Sequence, residues 1–149
     1  MVISMDKSIG SASVRTSKKM SRILNLYLKP FNITTEQWSV LRTLSESDRI
    51  SQKELSELAD KDQATLTKIL DLLEKHDFVK RIANPTDRRS YLIAITESGM
   101  DLTKKVAPYS EDIFTKIING IDEKSLAVYQ EVLLLLEENI DTLLEQENN

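Results

Sequence analysis

Apolar residues recur at three- and four-residue intervals between about Ser11 and Leu28, at Val14, Met20, Ile23, Leu24, Tyr27 and Leu28. That spacing predicts a first helix with a core-facing stripe, stopped by Pro30, and leaves Arg15, Lys18, Lys19 and Arg22 on the other face. Thr34 and Gln37 then stand at the T-x-x-Q spacing of a capping box ahead of Trp38, Leu41 and Leu44, so a second helix runs to about Ser45. The polar stretch Glu46 to Arg49 reads as a loop. Ser51 and Glu54 repeat the capping spacing before Leu55, Leu58 and Ala59, which predicts a third helix of only about two turns. A fourth begins near Gln63 with Asp62 as its N-cap, and its Leu66, Ile69, Leu70 and Leu73 fall at i, i+3, i+4 and i+7.

The period then changes. Val79 to Ala83 and Tyr91 to Ile95 are rich in β-branched and apolar residues, and the Asn84-Pro85-Thr86-Asp87 cluster between them is turn chemistry. This predicts a hairpin whose connection, Asn84 to Ser90, carries Asp87, Arg88 and Arg89 at the tip. Helical spacing returns after Thr96 through Met100, Ile113, Phe114, Ile117 and Ile118, with Pro108 expected to kink or break the helix and Gly120 to end it. Asp122 caps a last helix in which Leu126, Tyr129, Leu133, Leu136, Ile140 and Leu143 step alternately by three and four. Val132, Leu134, Leu135 and Leu144 widen that stripe, and so broad an apolar face on a terminal helix predicts a partner helix that covers it.

Composition narrows the chemistry. Three glycines and three prolines in 149 residues argue against a turn-rich β-sandwich, and 40% apolar residues with a net charge of −4 argue against disorder. The chain has no cysteine, which excludes disulfides, thiolate nucleophiles and Cys-ligated metals, and the single His76 cannot build a His-rich site. No metal, cofactor or enzymatic activity is therefore expected. The longest apolar runs, Tyr91 to Ile95 and Val132 to Leu136, fall far short of the roughly 20 residues of a membrane span, so a cytoplasmic protein is expected. Charge is graded along the chain. Residues 1–49 carry eight Lys/Arg against four Asp/Glu, residues 50–95 eight against eight, and residues 96–149 four against twelve. Net charge thus decides nothing about a polyanionic partner, and placement must.

Two short helices joined by a turn of about three residues, the second longer and followed by a hairpin, is the order of a winged helix-turn-helix. Opposite the core stripe of the fourth helix lie Ala64, Lys68, Asp71 and Lys75, flanked by Thr67, with Thr65 to the other side. Thr can bond a base edge or touch a thymine methyl, Lys can donate to guanine O6/N7, and Gln63 at the amino end can pair with adenine. Asp62 and Asp71 count against contact, because each repels phosphate. The free N–H groups opening the third helix, with Ser51, Gln52 and Lys53, form a phosphate-binding end. On the wing, Arg88 and Arg89 suit a narrow minor groove, and Asp87 is spaced to hold the Arg89 guanidinium in a bidentate pair. A solvated surface satisfies each feature singly, and their order along the chain is what favours nucleic acid.

The segment from Ser51 to Gly99 resembles the winged-helix core of MarR-family transcriptional regulators. The matching pieces are Ser51-Gln52-Lys53-Glu54-Leu55, Thr65-Leu66-Thr67-Lys68, Leu73-Glu74-Lys75, and Asn84-Pro85-Thr86-Asp87-Arg88-Arg89 followed by Ile95-Thr96-Glu97-Ser98-Gly99. The resemblance implies a mainly α fold with a small antiparallel β-wing, in which residues 34–99 form the DNA-binding winged helix-turn-helix. Residues 1–33 and 100–149 would form interlocking dimerisation helices. It further implies a homodimer on a palindromic operator, with Gln63, Ala64, Thr65, Thr67 and Lys68 facing the major groove, Arg89 entering the minor groove and Asp87 orienting it. Asp60 and Asp77 stand where the family usually has glycine, and Asp tolerates a left-handed turn better than most residues. The missing cysteines exclude the thiol-based peroxide-sensing branch, and one histidine argues against the zinc-sensing branch.

A repressor is expected, since no segment is spare for contacting polymerase. Members of the family commonly respond to aromatic or amphipathic small molecules, and Met20, Tyr27, Phe31, Trp38, Tyr109 and Phe114 are candidates to line such a pocket, although residues of these types at helical spacing also build cores. The competing expectation is a winged-helix module that binds another protein, consistent with the acidic carboxyl-terminal third.

Overall fold

The computed structural model describes residues 4–149, so the first three residues of the expected dimerisation region 1–33 lie outside the described residues. The chain divides into two compact units, one reaching to Ile113 and the other running from Phe114. The described residues fold into six α-helices with a small three-stranded antiparallel sheet.

In the first unit, a π-helical turn (Asp6–Ser11) leads into α1 (Ala12–Leu28), and a 3₁₀ turn holding Pro30 ends it. The reciprocal capping box at the start of α2 (Thr35–Glu46) is complete. The Thr34 hydroxyl accepts from the Gln37 N–H at 3.2 Å, and the Gln37 side-chain amide oxygen, Oε1, accepts from the Thr34 N–H at 3.0 Å. The loop expected over Glu46 to Arg49 is shorter than the composition indicates: α2 takes in Glu46, and Ile50–Ser51 form a short strand, β1. Ile50 and Ser51 pair with Ile93 and Leu92, partners supplied by tertiary structure that no local pattern reveals.

The helix-turn-helix follows as α3 (Gln52–Leu58) and α4 (Gln63–Lys75). Both helices end in the same way. Asp60 and Asp77 sit at φ 51° and 63°, and the next residues donate back across the turn, Lys61 N–H to Ser56 carbonyl and Phe78 N–H to Leu73 carbonyl, both at 2.9 Å. These are Schellman closures with aspartate in the left-handed position, which glycine would occupy with less strain. The hairpin is β2 (Val79–Asn84) and β3 (Asp87–Ile95), and the sheet order is β1-β3-β2. The core beneath it joins Leu41 and Leu44 of α2, Leu55 of α3, the whole predicted stripe of α4 and Val79 and Ile93 of the sheet.

Helix α5 (Glu97–Ile117) begins where Thr96 ties three segments together. The Thr96 N–H donates to the Phe78 carbonyl at 3.0 Å, its hydroxyl donates to the Asp77 carbonyl at 2.6 Å, and the same oxygen accepts from the Gly99 N–H at 3.0 Å. The helix start is thereby pressed onto the turn that leaves α4. Pro108 does not break α5: the helix continues through it to Ile117, because one missing i→i−4 bond removes a single rung from a helix otherwise fixed by its buried residues Thr103, Val106, Ser110 and Ile113. A second cluster buries Leu28, Ile33, Trp38 and Val106 together.

The second unit holds the last turn of α5, a reversal at Gly120 (φ 86°) and α6 (Glu123–Glu147). The Asp122 carboxylate caps α6 by accepting from the Ser125 N–H at 2.7 Å. Tyr129, Leu133, Ile140 and Leu143, four positions of the predicted stripe, are exposed on α6.

Candidate nucleic-acid interface

The outward face of α4 is built as its pattern requires. Gln63, Ala64, Thr67, Lys68, Asp71 and Lys75 are exposed, and Thr65 is half-buried. Asp62 caps the helix: its carboxylate accepts from the Thr65 N–H at 2.8 Å and from the Thr65 hydroxyl at 2.9 Å. Those two bonds, the backbone one first, hold the Asp62 carboxyl below its ordinary pKa. Thr65 accordingly offers a groove its methyl group and its remaining hydroxyl lone pair, since its proton is committed to Asp62.

The two helices of the motif are joined by a polar bond. The Gln52 amide donates to the Thr67 hydroxyl at 2.7 Å, and that hydroxyl donates to the Gln63 carbonyl at 2.8 Å. In this structure Gln52 is therefore an internal brace between α3 and α4. Ser51 is also partly spent: its hydroxyl accepts from the Glu54 N–H at 3.1 Å as the N-cap of α3. Lys53 is exposed beside it.

The wing departs from the expectation in two ways. Arg88 and Arg89 do not lie on a long connecting loop. The strands close over a two-residue turn, Pro85-Thr86, with Asn84 opposite Asp87, and the Asn84 side-chain oxygen accepts from the Thr86 N–H at 3.0 Å. The register shifts beside that turn: Ala83 faces Tyr91 and Asn84 faces Asp87, so Arg88, Arg89 and Ser90 have no Cα partner on β2 and form a bulge of β3. Bulges re-aim side chains, and both arginines are exposed. Second, Asp87 does not grip the Arg89 guanidinium. Its carboxylate accepts from the Arg89 backbone N–H at 2.9 Å, the shorter reach that the tight turn permits, and so fixes the bulge rather than the side chain.

Among the described residues, Lys53, Lys68, Lys75, Arg88 and Arg89 take part in none of the ion pairs. Asp71, the carboxylate that counts against groove contact, is paired: Arg81 of β2 reaches it at 2.9 Å and Glu74 at 3.1 Å. Sequence reasoning misses Arg81, although a signal exists. Arg81 shares the face of the buried Val79, two residues away on the same strand, and a cation on the inward side of a strand needs an anionic partner. It also misses Asp48, whose carboxylate accepts from the Arg49 and Ile95 N–H groups at 2.8 and 2.9 Å and pins the base of the wing.

Several of the candidate effector residues are neighbours, with Phe31 packed against the cluster that buries Trp38. Tyr27 and Phe31 each meet Tyr109 edge-on, at centroid distances of 5.9 and 5.5 Å, while Trp38 is buried in the second core cluster and Met20 is half-buried on α1. Surface clefts open elsewhere among the described residues. One runs between the Asp77-Phe78 turn and Glu97, Asp101 and Lys105 of α5, and another along Arg15, Lys18, Lys19 and Arg22 of α1. Phe114 is half-buried and belongs to the second unit.

A sequence model of the MarR family matches residues 33–91. The HTH-type transcriptional regulator SarZ of Staphylococcus haemolyticus is 30% identical over 109 residues, which cover 73% of this chain and 74% of that protein. The chain belongs to the MarR family. Its family relatives are transcriptional regulators. Among solved MarR-family structures, a mutant MarR from Escherichia coli complexed with operator DNA aligns with a TM-score of 0.82 at 25% identity, over 91% of this chain and 99% of that one. BpsR of Bordetella bronchiseptica, whose DNA binding is regulated by 6-hydroxynicotinic acid, shares the fold with a TM-score of 0.84 at 20% identity, over 92% of this chain and 98% of its own. No helix among the described residues is long and apolar enough to cross a membrane.

Proposed function

We propose that this MarR-family regulator is a homodimeric, sequence-specific DNA-binding protein, and that it represses by occupying a palindromic operator in the cytoplasm. The observation that carries the proposal is the set of bare cations on one lobe: among the described residues, the side chains of Lys68 on the exposed face of α4 and of Arg88 and Arg89 on the β3 bulge join none of the ion pairs. Gln63, Ala64, Thr65, Thr67 and Lys68 take the major groove, and Arg89 takes the minor groove with its backbone fixed by Asp87. Ser51, Gln52 and Lys53 approach phosphate, with Lys53 supplying the charge and Gln52 holding α3 to α4. The DNA-binding region is residues 34–99. Residues 1–33 and 100–149 form the dimerisation region, supported by the a/d spacing of Leu126, Tyr129, Leu133, Leu136, Ile140 and Leu143 on α6. A small aromatic ligand releases the operator, a class supported by the edge-on Tyr27, Phe31 and Tyr109 rings.

Arg89→Ala tests the assignment, because the side chain is exposed and its loss leaves the fold intact. Operator affinity falls by about 1–3 kcal/mol, at least about fivefold, with an unchanged melting curve. Unchanged affinity would remove the wing from the interface, and no DNA binding by the unaltered protein would favour a protein partner instead.

A further inference from the structure

Between Gln63 and Lys75, helix α4 carries two cations, Lys68 and Lys75, and two anions, Asp71 and Glu74. Left to itself the helix is electrically neutral, and its outward face would be self-paired. Asp71 lies three residues after Lys68 and four before Lys75, the two spacings at which opposite charges meet on a helix surface. The structure shows a different pairing. Arg81 reaches across from β2 with one guanidinium nitrogen 2.9 Å from Asp71 and another 3.1 Å from Glu74, and its backbone N–H donates to Glu74 at 3.3 Å. Its side chain is 23% exposed against 63% and 44% for the two carboxylates, so the cation is the sheltered member and the anions are drawn toward the strand. Among the described residues, Lys68 and Lys75 are left without an acidic partner.

We propose that Arg81 is a positioning residue for DNA recognition: by holding Asp71 and Glu74 against the wing, it keeps Lys68 and Lys75 free for the nucleic acid. Arg81 touches no base in this scheme. One strand cation turns the reading face from neutral to net positive. The inference rests on the DNA-binding reading above and extends it to a residue outside the expected interface.

The test compares Arg81→Met, Arg81→Lys and the triple variant Arg81→Met/Asp71→Asn/Glu74→Gln with the unaltered protein, on a duplex selected from a random pool. Arg81→Met loses affinity roughly tenfold at low salt, and the salt slope falls by about 1 to 2, because lysines recaptured by Asp71 and Glu74 no longer displace counterions. Arg81→Lys, which keeps the charge but not the fork, stays within about threefold, whereas a purely structural fork would not tolerate lysine. The triple variant, which removes the anions with the cation, recovers affinity. Melting curves identify any variant that has not folded, and Arg81→Lys then carries the test alone. Arg81→Met with unaltered affinity and slope overturns the proposal while leaving the interface standing, as does a folded triple variant that stays weak or an Arg81→Lys as weak as Arg81→Met. An unaltered protein that binds no duplex fails the underlying reading instead.

Discussion

Gly99→Ala is expected to destabilise the fold by at least about 2 kcal/mol, read as a fall in melting temperature of about 5 °C or more. A β-carbon at that position would stand 2.2 Å from the Phe78 carbonyl oxygen and 2.8 Å from Ile95 Cγ1. The first contact is with backbone, which cannot swing aside as a side chain can. That same carbonyl accepts the Thr96 N–H, so pushing it away also loosens the bond that seats α5 on the turn after α4. The Thr96-Glu97-Ser98-Gly99 sequence is thereby explained: threonine caps the helix and ties it to Asp77, and glycine lets the two backbones approach. Gly10→Ala is the control. Its added carbon meets only the Asp6 side chain at 3.5 Å, and stability should be unaffected. A melting temperature for Gly99→Ala equal to that of the unaltered protein would show that the close approach is not maintained in solution.

The second large effect concerns the carboxyl-terminal helix. Leu133 and Ile140 lie one heptad apart on α6 and are 39% and 52% exposed, with Tyr129 and Leu143 beside them on the same stripe. If a second copy covers that stripe, replacing both by glutamate places two charges in an apolar seam, at several kcal/mol for each unpaired charge. The expected result is a monomer by sedimentation at micromolar concentration, with DNA affinity lost because a single lobe reads only a half-site. Removing the chain from Leu126 onward should do the same. A double-glutamate variant that sediments as the unaltered protein does would place the dimer contact elsewhere.

Much of the fold was legible because the periodicities are clean. The α4 stripe of Leu66, Ile69, Leu70 and Leu73 is the buried set, and the caps at Thr34, Ser51, Asp62 and Asp122 all accept the expected backbone N–H. Asp60 and Asp77 take up left-handed conformations, as their place after each helix of the motif implies. What escaped was decided by partners distant in sequence. Strand β1 exists because Ile93 and Leu92 are there to pair with it, and Pro108 is tolerated because the surrounding helix is held by burial. At the candidate site, the positions of Lys68, Arg88 and Arg89 were readable. Their electrostatic setting was not: the neutralisation of Asp71 depends on Arg81, ten residues on and in another element. The bulge likewise depends on how the ladder closes around Asn84 and Asp87, which composition alone describes only as a turn.

The most direct measurement is a titration of the unaltered protein against a duplex carrying a selected palindromic site, followed at several salt concentrations with the stoichiometry read at saturation. Two chains per duplex, with affinity falling steeply and linearly in log[salt], are the predicted result, since each lobe brings Lys53, Lys68, Arg88 and Arg89, which join none of the ion pairs among the described residues, into the phosphate field and so releases counterions. One chain per duplex, or no binding even near about 50 mM salt, would contradict the account.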